Sequence, residues 1–524
     1  MKTECITIEK TEYEQLLKLA KAVPDLVTEI TLLKSENTLL QSENKLLRDK
    51  VDMLVRRVFG TSSEKLDINQ MMLNLGLDFE QALNEEDNDP DEPELPPKSR
   101  KNRTLKKDRL PDDLPEERIT IIPEEVQADP DAYDCIGAEE TVKLDVTPMS
   151  FKKRITVRLK YIKKDRTEAP IIAPAPKQLI SGSFASESLL TRIIIGKYVD
   201  HLPLYRQEQI FARYGITLSR KTMADWVWRI GDWLRIIYDE LGNELQGEKY
   251  LQIDETPVRY LVPGYGKTKK GYLWVYHAPG KGVYLEWHPG RGAECLRNML
   301  DDFDGIIQND GYAAYWSYNI LRSKNPNKKE LVISCCWAHA RRKFFEAKAE
   351  SALARDILKE IKELYRPEAS LRDAESSSEE REVARREESQ PVLDRIKERL
   401  ERDRSKHLPK SLTGIAISYT LKIWKELNVF VEKGIVEIDN NLVENVIRVP
   451  ALGKKNWMFF GSKDAGVPNA IIMTVLLNCK MHGINPEEYL NDVLERLPHI
   501  TNHQARELTP AKWLAARQTK TLTA

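Results

Sequence analysis

The sequence predicts a multidomain chain: an N-terminal α-helical coiled coil, a small β-rich region, a helical segment, a mixed α/β domain with a helical insertion, and C-terminal helices. A seven-residue repeat indicates the coiled coil, and strand-like runs separated by glycine turns indicate the α/β domain. Apolar residues at helical spacing occupy the segments around that domain. At 524 residues, the chain is long enough for about three or four domains of ordinary size.

Residues 1–83 are predicted to form a leucine-zipper-like coiled coil. Apolar or asparagine residues recur every seven positions from Ile30 to Val58, and leucines recur in the companion register from Leu33 to Leu54. Both series lie on one stripe of a helix, and asparagines in such a stripe pair across a two-stranded seam. We therefore expect a homodimer or a higher oligomer, with an amphipathic helix packed on its own chain as the alternative. The predicted dimerisation residues are Leu33, Asn37, Leu40, Asn44, Leu47, Val51 and Leu54.

Charge is balanced over the whole chain but is segregated locally. The 81 Lys and Arg residues and 82 Asp and Glu residues give a net charge of −1, which by itself does not indicate nucleic-acid binding. Residues 84–117 form a predicted linker rich in proline and charge, with an acidic run at 85–94 and a basic run at 98–109. The basic run is either a solvated part of the linker or an arm that contacts DNA phosphates.

Cysteine pattern and hydropathy exclude several classes of protein. The six cysteines form no C-x2-C pair, so neither a disulfide framework nor a cysteine zinc site is indicated. No apolar run approaches the ~18 residues needed to span a membrane. The N-terminus lacks an apolar signal-peptide core, so we expect a cytoplasmic protein with no membrane partner.

Residues 118–180 are predicted to be a small β region. Short β-branched runs alternate with basic residues, most clearly in KRITVRLKYIKK (153–164). Such alternation is typical of half-exposed strands. The sequence PIIAPAPK (170–177) follows as an extended connector.

Residues 181–247 are predicted to be helical and to contain a helix-turn-helix. One helix covers residues 205–213, Gly215 lies in the turn, and Ser219 caps a second helix. The second helix begins with Arg220 and Lys221, which would contact DNA if this helix entered the major groove. A helical hairpin that serves only packing is the alternative.

Residues 248–462 are predicted to form the α/β domain, with the helical insertion at 350–425. Three strands come first, followed by a helix, a strand, a helix and a strand, which is the element order of a ribonuclease-H-like sheet. Asp254 lies on the first strand and Asp310 on the fourth, so neighbouring strands would bring the two carboxylates together. The predicted strands cover residues 249–261, 271–278, 282–289, 305–315 and 330–339, and the first helix covers 292–303.

A third carboxylate, Glu444, is predicted on a helix after the sheet, at residues 438–457. Clustered carboxylates repel one another unless cations lie between them, and hard divalent cations prefer oxygen ligands. Asp254, Asp310 and Glu444 therefore form a candidate site for two Mg²⁺ or Mn²⁺ ions. Spacing alone also allows four other acids, namely Glu255, Asp304, Glu346 and Asp439. The cations that follow Glu444 and could hold DNA phosphates are Arg448, Lys454 and Lys455.

Several motifs in order along the chain resemble the insertion sequence 66 family of bacterial transposases. They are RRVFGTSSEKL (56–66), RLPDDLPEERI (109–119), KYVDHLPLYRQEQIFARYGITLSRKTMADWV (197–227), QIDETPV (252–258), NDGYAAY (309–315), CWAHARRKFFE (336–346) and IDNNLVENVIRVPALGKKNWMFFGS (438–462). The resemblance implies a DDE-type DNA transposase with a ribonuclease-H-like catalytic domain. It assigns metal binding and catalysis to Asp254, Asp310 and Glu444.

The resemblance also implies a reaction and partners. The reaction would be metal-dependent cleavage and transfer of DNA strands, by in-line phosphoryl transfer at transposon ends. The expected partners are double-stranded DNA, as terminal inverted repeats and as target, together with accessory transposition proteins, and nucleoid association is expected. Two alternatives stay open: a catalytically inactive, zipper-dimerised DNA-binding relative, and a ribonuclease-H-like nuclease without strand transfer.

The C-x2-H step at Cys336 and His339 has two interpretations. It is either a strand-to-helix junction or a point at which His339 lies near the active site, and two cysteine and histidine ligands alone do not make a metal site. Arg341 and Arg342, which follow directly, are predicted contacts of DNA phosphates.

Predictions also cover one segment of the insertion and the C-terminal end of the chain. Within the insertion, the charged run at residues 373–389 is predicted to be solvated. Residues 463–524 are predicted to be a C-terminal helical element, in which Gly483 ends one helix and Asn485 caps the next.

The chain departs from the family pattern at two points. Relatives usually carry two C-x2-C pairs before the helical segment, whereas only Cys135 lies in that region, so we expect no structural zinc. Relatives usually have Arg-Pro after the third acid, whereas Val449 here separates Arg448 from Pro450. The helix that carries Glu444 is therefore expected to differ slightly at its end.

Overall fold

The computed structural model describes residues 149–161, 164 and 171–523. Nearly all of them belong to one compact unit, Ser150–Ala524. The predicted coiled coil with its seam residues, the charged linker and residues 118–148 of the predicted β region lie outside the described residues. Those interpretations therefore stay predictions.

A two-stranded antiparallel pair opens the described structure. Strand β1 (Lys160–Tyr161) pairs with β2 (Ile171–Ile172). The strand predicted at 153–164 is thus much shorter than expected, because residues 151–159 are exposed and have no regular structure. A strand needs a backbone partner for its N–H and C=O groups, and within the described part of the chain only β2 supplies one here.

Three helices follow, and they are α1 (Glu187–Tyr198), α2 (Leu204–Arg213) and α3 (Arg220–Gln246). The predicted turn and cap between α2 and α3 are confirmed. Gly215 adopts φ +74°, and the Ser219 hydroxyl accepts a hydrogen bond from Thr222 N at 3.1 Å. At 27 residues, α3 continues well beyond the hairpin, because its apolar face packs against β5 and a C-terminal helix.

A six-stranded mixed sheet forms the centre of the unit, with the order β5-β4-β3-β6-β7 and a short β8 beside β3. Its strands are β3 (Tyr250–Leu261), β4 (Thr268–Ala278), β5 (Gly282–His288), β6 (Ile306–Asn309), β7 (Val332–Cys335) and β8 (Phe459–Phe460). Strands β3, β4 and β5 pair antiparallel, whereas β6 and β7 run parallel to β3. The helices between the later strands are α4 (Arg297–Leu300), α5 (Ala314–Ser323) and α6 (Trp337–Ala347). The predicted order of strands and helices is confirmed.

Several predicted boundaries within this domain are wrong. Strand β6 stops at Asn309, because Gly311 adopts φ +86° and the Asp310 carboxylate accepts a hydrogen bond from Tyr312 N at 2.9 Å, which turns the chain into α5. Strand β7 likewise gives way to α6 before its predicted end. The helix predicted at 292–303 is a 3-10 turn followed by the single turn α4.

The region predicted to be a helical insertion is helical. The helices of residues 350–425 are α7 (Ala352–Asp373), α8 (Ser378–Ala384), α9 (Gln390–Asp403) and α10 (Leu412–Lys422). The short helices α11 (Trp424–Leu427) and α12 (Val429–Glu432) continue the helical region beyond its predicted end. Contrary to the prediction, the charged run at 373–389 is not solvated throughout, since Arg385 is fully buried. Its guanidinium binds both carboxylate oxygens of Glu368 at 2.7 Å and donates to Phe430 O and Val436 O. A charge that is paired and hydrogen-bonded can be buried in this way.

The remaining helices are α13 (Asn441–Trp457), α14 (Gly466–Met481), α15 (Pro486–Arg496), α16 (Asn502–Arg506) and α17 (Pro510–Thr523). Helix α13 runs through Pro450, so the displaced proline does not end it. The predicted stop and cap after α14 are confirmed: Gly483 adopts φ +65°, and the Asn485 side chain accepts from Glu487 N and Glu488 N. Within the described residues, no helix combines the length and the apolar character that a membrane crossing requires.

Candidate active site

Parallel pairing of β3 and β6 brings Asp254 and Asp310 to corresponding positions. Gln252 lies opposite Gln308 in the register, and each acid follows its glutamine by two residues. Side chains two apart on a strand share a face, so Asp254 lies on the face of Gln252. Asp310 follows directly after the end of β6. The two glutamine side chains meet on this face, with Gln252 Nε2 3.0 Å from Gln308 Oε1.

The first turn of α13 delivers Glu444 to the same edge of the sheet. Gln252 Oε1 accepts a hydrogen bond from Val443 N at 3.1 Å, and Gln252 Nε2 donates to Asp439 O at 2.9 Å. Glu444 is the next residue of the helix after Val443. Helix α13 is therefore fixed to β3 within two residues of Asp254.

The charges of these acids influence one another. Burial raises the pKa of the Asp254 carboxyl well above its usual value, and the neighbouring carboxylates of Glu255, Glu444 and Asp310 raise it further. The backbone hydrogen bond from Glu255 N to Asp254 Oδ1, at 2.7 Å, lowers the pKa of Asp254 and partly opposes these effects. Asp254 thus lies within electrostatic range of both other predicted acids, Asp310 and Glu444.

The side chains of His339 and Arg342, both on α6, face Glu444. His339 Nε2 lies 3.8 Å from one carboxylate oxygen, and Arg342 Nη2 lies 3.9 Å from the other. Burial lowers the pKa of His339, and Arg342 lowers it as well, whereas Glu444 raises it. His339 is therefore both part of a strand-to-helix junction and a neighbour of the acids. Cys336, at the start of the same helix, accepts a hydrogen bond through Sγ from Asn440 N at 3.4 Å.

Glu255, a competing acid in the sequence, is already paired. Its buried carboxylate forms an ion pair with Arg291 and accepts a hydrogen bond from Tyr315 OH at 3.2 Å. Burial raises the pKa of Glu255 to about 7, although Arg291 opposes that shift. The guanidinium of Arg291 also lies 3.8 Å from the centre of the Tyr312 ring. Sequence reasoning missed Arg291, which stands between two loop glycines with no pattern to mark it.

The other competing acids are also accounted for. Asp439 is buried, and its carboxylate accepts hydrogen bonds from Asn441 N at 3.0 Å and Tyr365 OH at 2.9 Å. Asp304 and Glu346 are exposed. Gln252 and Gln308 were missed as well, although the shared Gln-x-Asp spacing before Asp254 and Asp310 was a signal that could have identified them.

The predicted DNA-binding cations occupy different surroundings. Arg220 and Lys221 are exposed at the N-terminal end of α3. Arg341 lies over the Phe345 ring at 5.7 Å, and Arg342 faces Glu444. On α13, Arg448 is half-buried and Lys455 is exposed. The ammonium of Lys454 donates to Thr256 Oγ1 at 2.8 Å and to Pro257 O at 3.1 Å, which ties α13 to β3 again.

The chemistry of the acid group fits a metal ion. No three His, Cys, Asp or Glu side chains among the described residues are already close enough together to hold one. The potential ligands are carboxylate oxygens, which hard divalent cations prefer. One of them, Glu444 Oε1, is buried and has no hydrogen-bond partner in the described structure. A buried acceptor of this kind is costly unless a cation meets it.

Family comparisons match three parts of the chain. Residues 182–467 match a model described as "Transposase IS66 family". Residues 46–119 match "Transposase C of IS166 homeodomain", and residues 474–511 match "IS66 C-terminal element". The first match contains Asp254, Asp310 and Glu444.

Three similar proteins come from Sinorhizobium fredii (strain NBRC 101917 / NGR234). "Uncharacterized protein y4qI" is 35% identical over 419 residues, which cover 78% of this chain and 76% of the relative. "Uncharacterized protein y4jD" is 34% identical over 483 residues, covering 89% and 94% respectively. "Uncharacterized protein y4hP" is 31% identical over 437 residues, covering 78% and 76%.

Proposed function

This chain belongs to the transposase IS66 family, and on that premise we propose that it is a DDE-type DNA transposase. The proposed reaction is cleavage of DNA strands at transposon ends and their transfer to target DNA by in-line phosphoryl transfer. The observation that carries the proposal is the convergence of Asp254, Asp310 and Glu444 at one edge of the sheet. The strand order supports a ribonuclease-H-like fold for this domain.

Asp254, Asp310 and Glu444 are the residues that would hold two Mg²⁺ or Mn²⁺ ions. Bound ions of this kind activate an attacking water or 3′-hydroxyl and stabilise the leaving oxygen. The carboxylates supply the oxygen ligands, and burial together with the neighbouring carboxylates raises the pKa of Asp254. His339 and Arg342 would orient the Glu444 carboxylate from the opposite side.

DNA binding is assigned to exposed cations of the described structure. Arg220 and Lys221 would contact DNA from the start of α3, and Lys455 would hold phosphates beside the acids. The coiled coil would pair two chains so that two transposon ends are held together. That role rests on the heptad pattern and on the family match at residues 46–119.

The test is nicking of a duplex that carries the inverted repeats flanking the gene, with Mn²⁺ and the full chain. We expect Asp254→Asn to keep DNA binding and to lose metal-dependent nicking by about a thousandfold, equivalent to roughly 4 kcal/mol of transition-state stabilisation. The control is Asp304→Asn, which changes an exposed acid of the same domain and should nick normally.

Each other result favours a different function. Unimpaired nicking by Asp254→Asn would remove this residue from the site. DNA binding by the unmodified chain without any metal-dependent nicking would favour the inactive DNA-binding relative. Nicked products that are never joined to target DNA would favour the nuclease without strand transfer.

A further inference from the structure

Two fully buried glutamine side chains lie beneath the acids. Gln252 and Gln308 each have no exposed surface, and each precedes an acid of the proposed site by two residues. A buried amide is costly unless its donors and acceptor find partners. The partners of these amides therefore indicate what the two side chains do.

The amides bind backbone groups of the chain that leads into α13. Gln308 Nε2 donates to Glu437 O at 2.7 Å, and Gln252 Nε2 donates to Asp439 O at 2.9 Å. Tyr250, at the start of β3, accepts a hydrogen bond through its hydroxyl from Glu437 N at 3.2 Å. Side chains of the sheet thus hold this segment as a neighbouring strand would, through its backbone.

Gln252 also caps α13. The first four N–H groups of a helix have no partner within the helix. Asn440 occupies the N-cap position but makes no side-chain cap bond, and both polar atoms of its side chain are buried without a partner. The N–H of Val443 instead donates to Gln252 Oε1 at 3.1 Å. A strand that lies far away in the sequence therefore caps the Val443 N–H, whereas the Asp439 carboxylate accepts the N–H of Asn441.

One side chain consequently links two proposed metal ligands. Val443 immediately precedes Glu444 on α13, and Gln252 lies two residues, or about 6.6 Å along a strand, from Asp254. Movement of the first turn of α13 would move the Glu444 carboxylate relative to Asp254. Among the side chains that the structure describes, only the Gln252 amide bonds both to that turn and to Gln308, which stands two residues before Asp310.

We infer that Gln252 is a positioning residue, which sets where Glu444 stands relative to Asp254 and thereby the affinity of the site for divalent cations. The inference rests on the proposed function. Gln308 supports Gln252 in two ways. Its carbonyl oxygen accepts a hydrogen bond from the Gln252 amide, and its own amide donates to Glu437 O in the segment that leads into α13. Groups that orient metal ligands typically contribute about 10–100-fold to metal affinity.

The experiment compares Gln252→Met with a matched control, Gln207→Met, in the full chain. Gln207 is also a buried glutamine, 3% exposed, and its amide donates to Ile193 O and Leu202 O within the helical segment. Two quantities are measured without DNA: the affinity for Mn²⁺ by titration calorimetry, and hydrogen–deuterium exchange of the peptide spanning residues 437–446. Thermal unfolding is recorded for both variants.

Gln252→Met should weaken Mn²⁺ binding by about tenfold or more and speed exchange at 437–446. Gln207→Met should lower thermal stability similarly yet bind Mn²⁺ as the unmodified chain does. A purely structural role of Gln252 predicts the same metal affinity for both folded variants, and that result would overturn the inference. If Gln252→Met does not fold, Gln252→Asn, whose amide is one methylene too short to reach both partners, is judged by the same two outcomes.

The inference and the proposed function fail differently. If the unmodified chain binds Mn²⁺, Asp254→Asn does not, and Gln252→Met binds normally, only the role of Gln252 is wrong. If the unmodified chain binds no Mn²⁺, the proposed metal site is wrong and the inference falls with it.

Discussion

Charged side chains are buried in two different ways in this molecule. In the helical insertion, Arg385 and Glu368 neutralise each other, and the remaining guanidinium donors reach backbone carbonyls. At the sheet edge, burial and neighbouring carboxylates raise the pKa of Asp254, and the Arg342 guanidinium stands 3.9 Å from the Glu444 carboxylate. The first arrangement is complete in itself, whereas the second lacks positive charge and suits a bound cation.

The Arg385–Glu368 pair leads to a stability prediction. Arg385→Met should lower the free energy of unfolding by about 3 kcal/mol, because the buried Glu368 carboxylate would keep only Arg381, at 3.6 Å, as a cationic neighbour. Replacing both residues by methionine should recover much of that loss. Urea unfolding of the full chain, followed through the transition of the α/β domain, measures the effect.

A half-exposed ion pair of the same type provides the control. Arg395 and Glu363 lie in the same insertion, with side chains 49% and 54% exposed. Arg395→Met should lower the free energy of unfolding by less than about 1 kcal/mol. If both arginine variants lost the same free energy of unfolding, burial would not make the Arg385–Glu368 pair more important for stability than an exposed pair.

The site was only partly predictable from single residues. Spacing left Asp254, Asp310 and Glu444 among several acids, and the family motifs selected them. Arg291 and Gln252 were missed because their roles depend on partners that are brought close only by folding. The residues next to Arg291 and Gln252 in the sequence do not indicate these long-range contacts.

At the scale of elements, the sequence predicted which strands and helices exist better than where they end. Strands β3, β4 and β5 are strand-like runs bounded by glycine turns, so their limits were nearly right. Strand β6 ends at Asn309 because a side-chain hydrogen bond and a left-handed glycine turn the chain, and neither is visible as a break in hydropathy. Strand β1 is short because pairing, rather than composition, decides how far a strand extends.

The exposed start of α3 leads to a prediction about DNA binding. If Arg220 and Lys221 contact phosphates, changing both to glutamine should weaken binding and reduce the slope of log affinity against log salt concentration by about 1.8. Arg229→Gln is the control, because this exposed arginine of the same helix is already paired with Asp225 at 3.1 Å. Binding measured by fluorescence anisotropy across a salt series tests the assignment, and an unchanged slope for the double variant would refute it.

In the molecule as a whole, the proposed site joins three segments that are far apart in the chain. Strands β3 and β6 bring Asp254 and Asp310 into corresponding positions, and α13 returns Glu444 to the same edge after the helical insertion. Gln252 connects these segments through one side chain. The match to the transposase family over residues 182–467 spans the whole of this arrangement.

The most direct test is the position of Mn²⁺, measured by anomalous diffraction from crystals of the full chain grown with this ion. We expect anomalous density between Asp254 and Asp310, with the Glu444 carboxylate turned toward it as a ligand. Density elsewhere, or an ion held by Asp254 and Asp310 while Glu444 stays with Arg342 and His339, would contradict the three-carboxylate site.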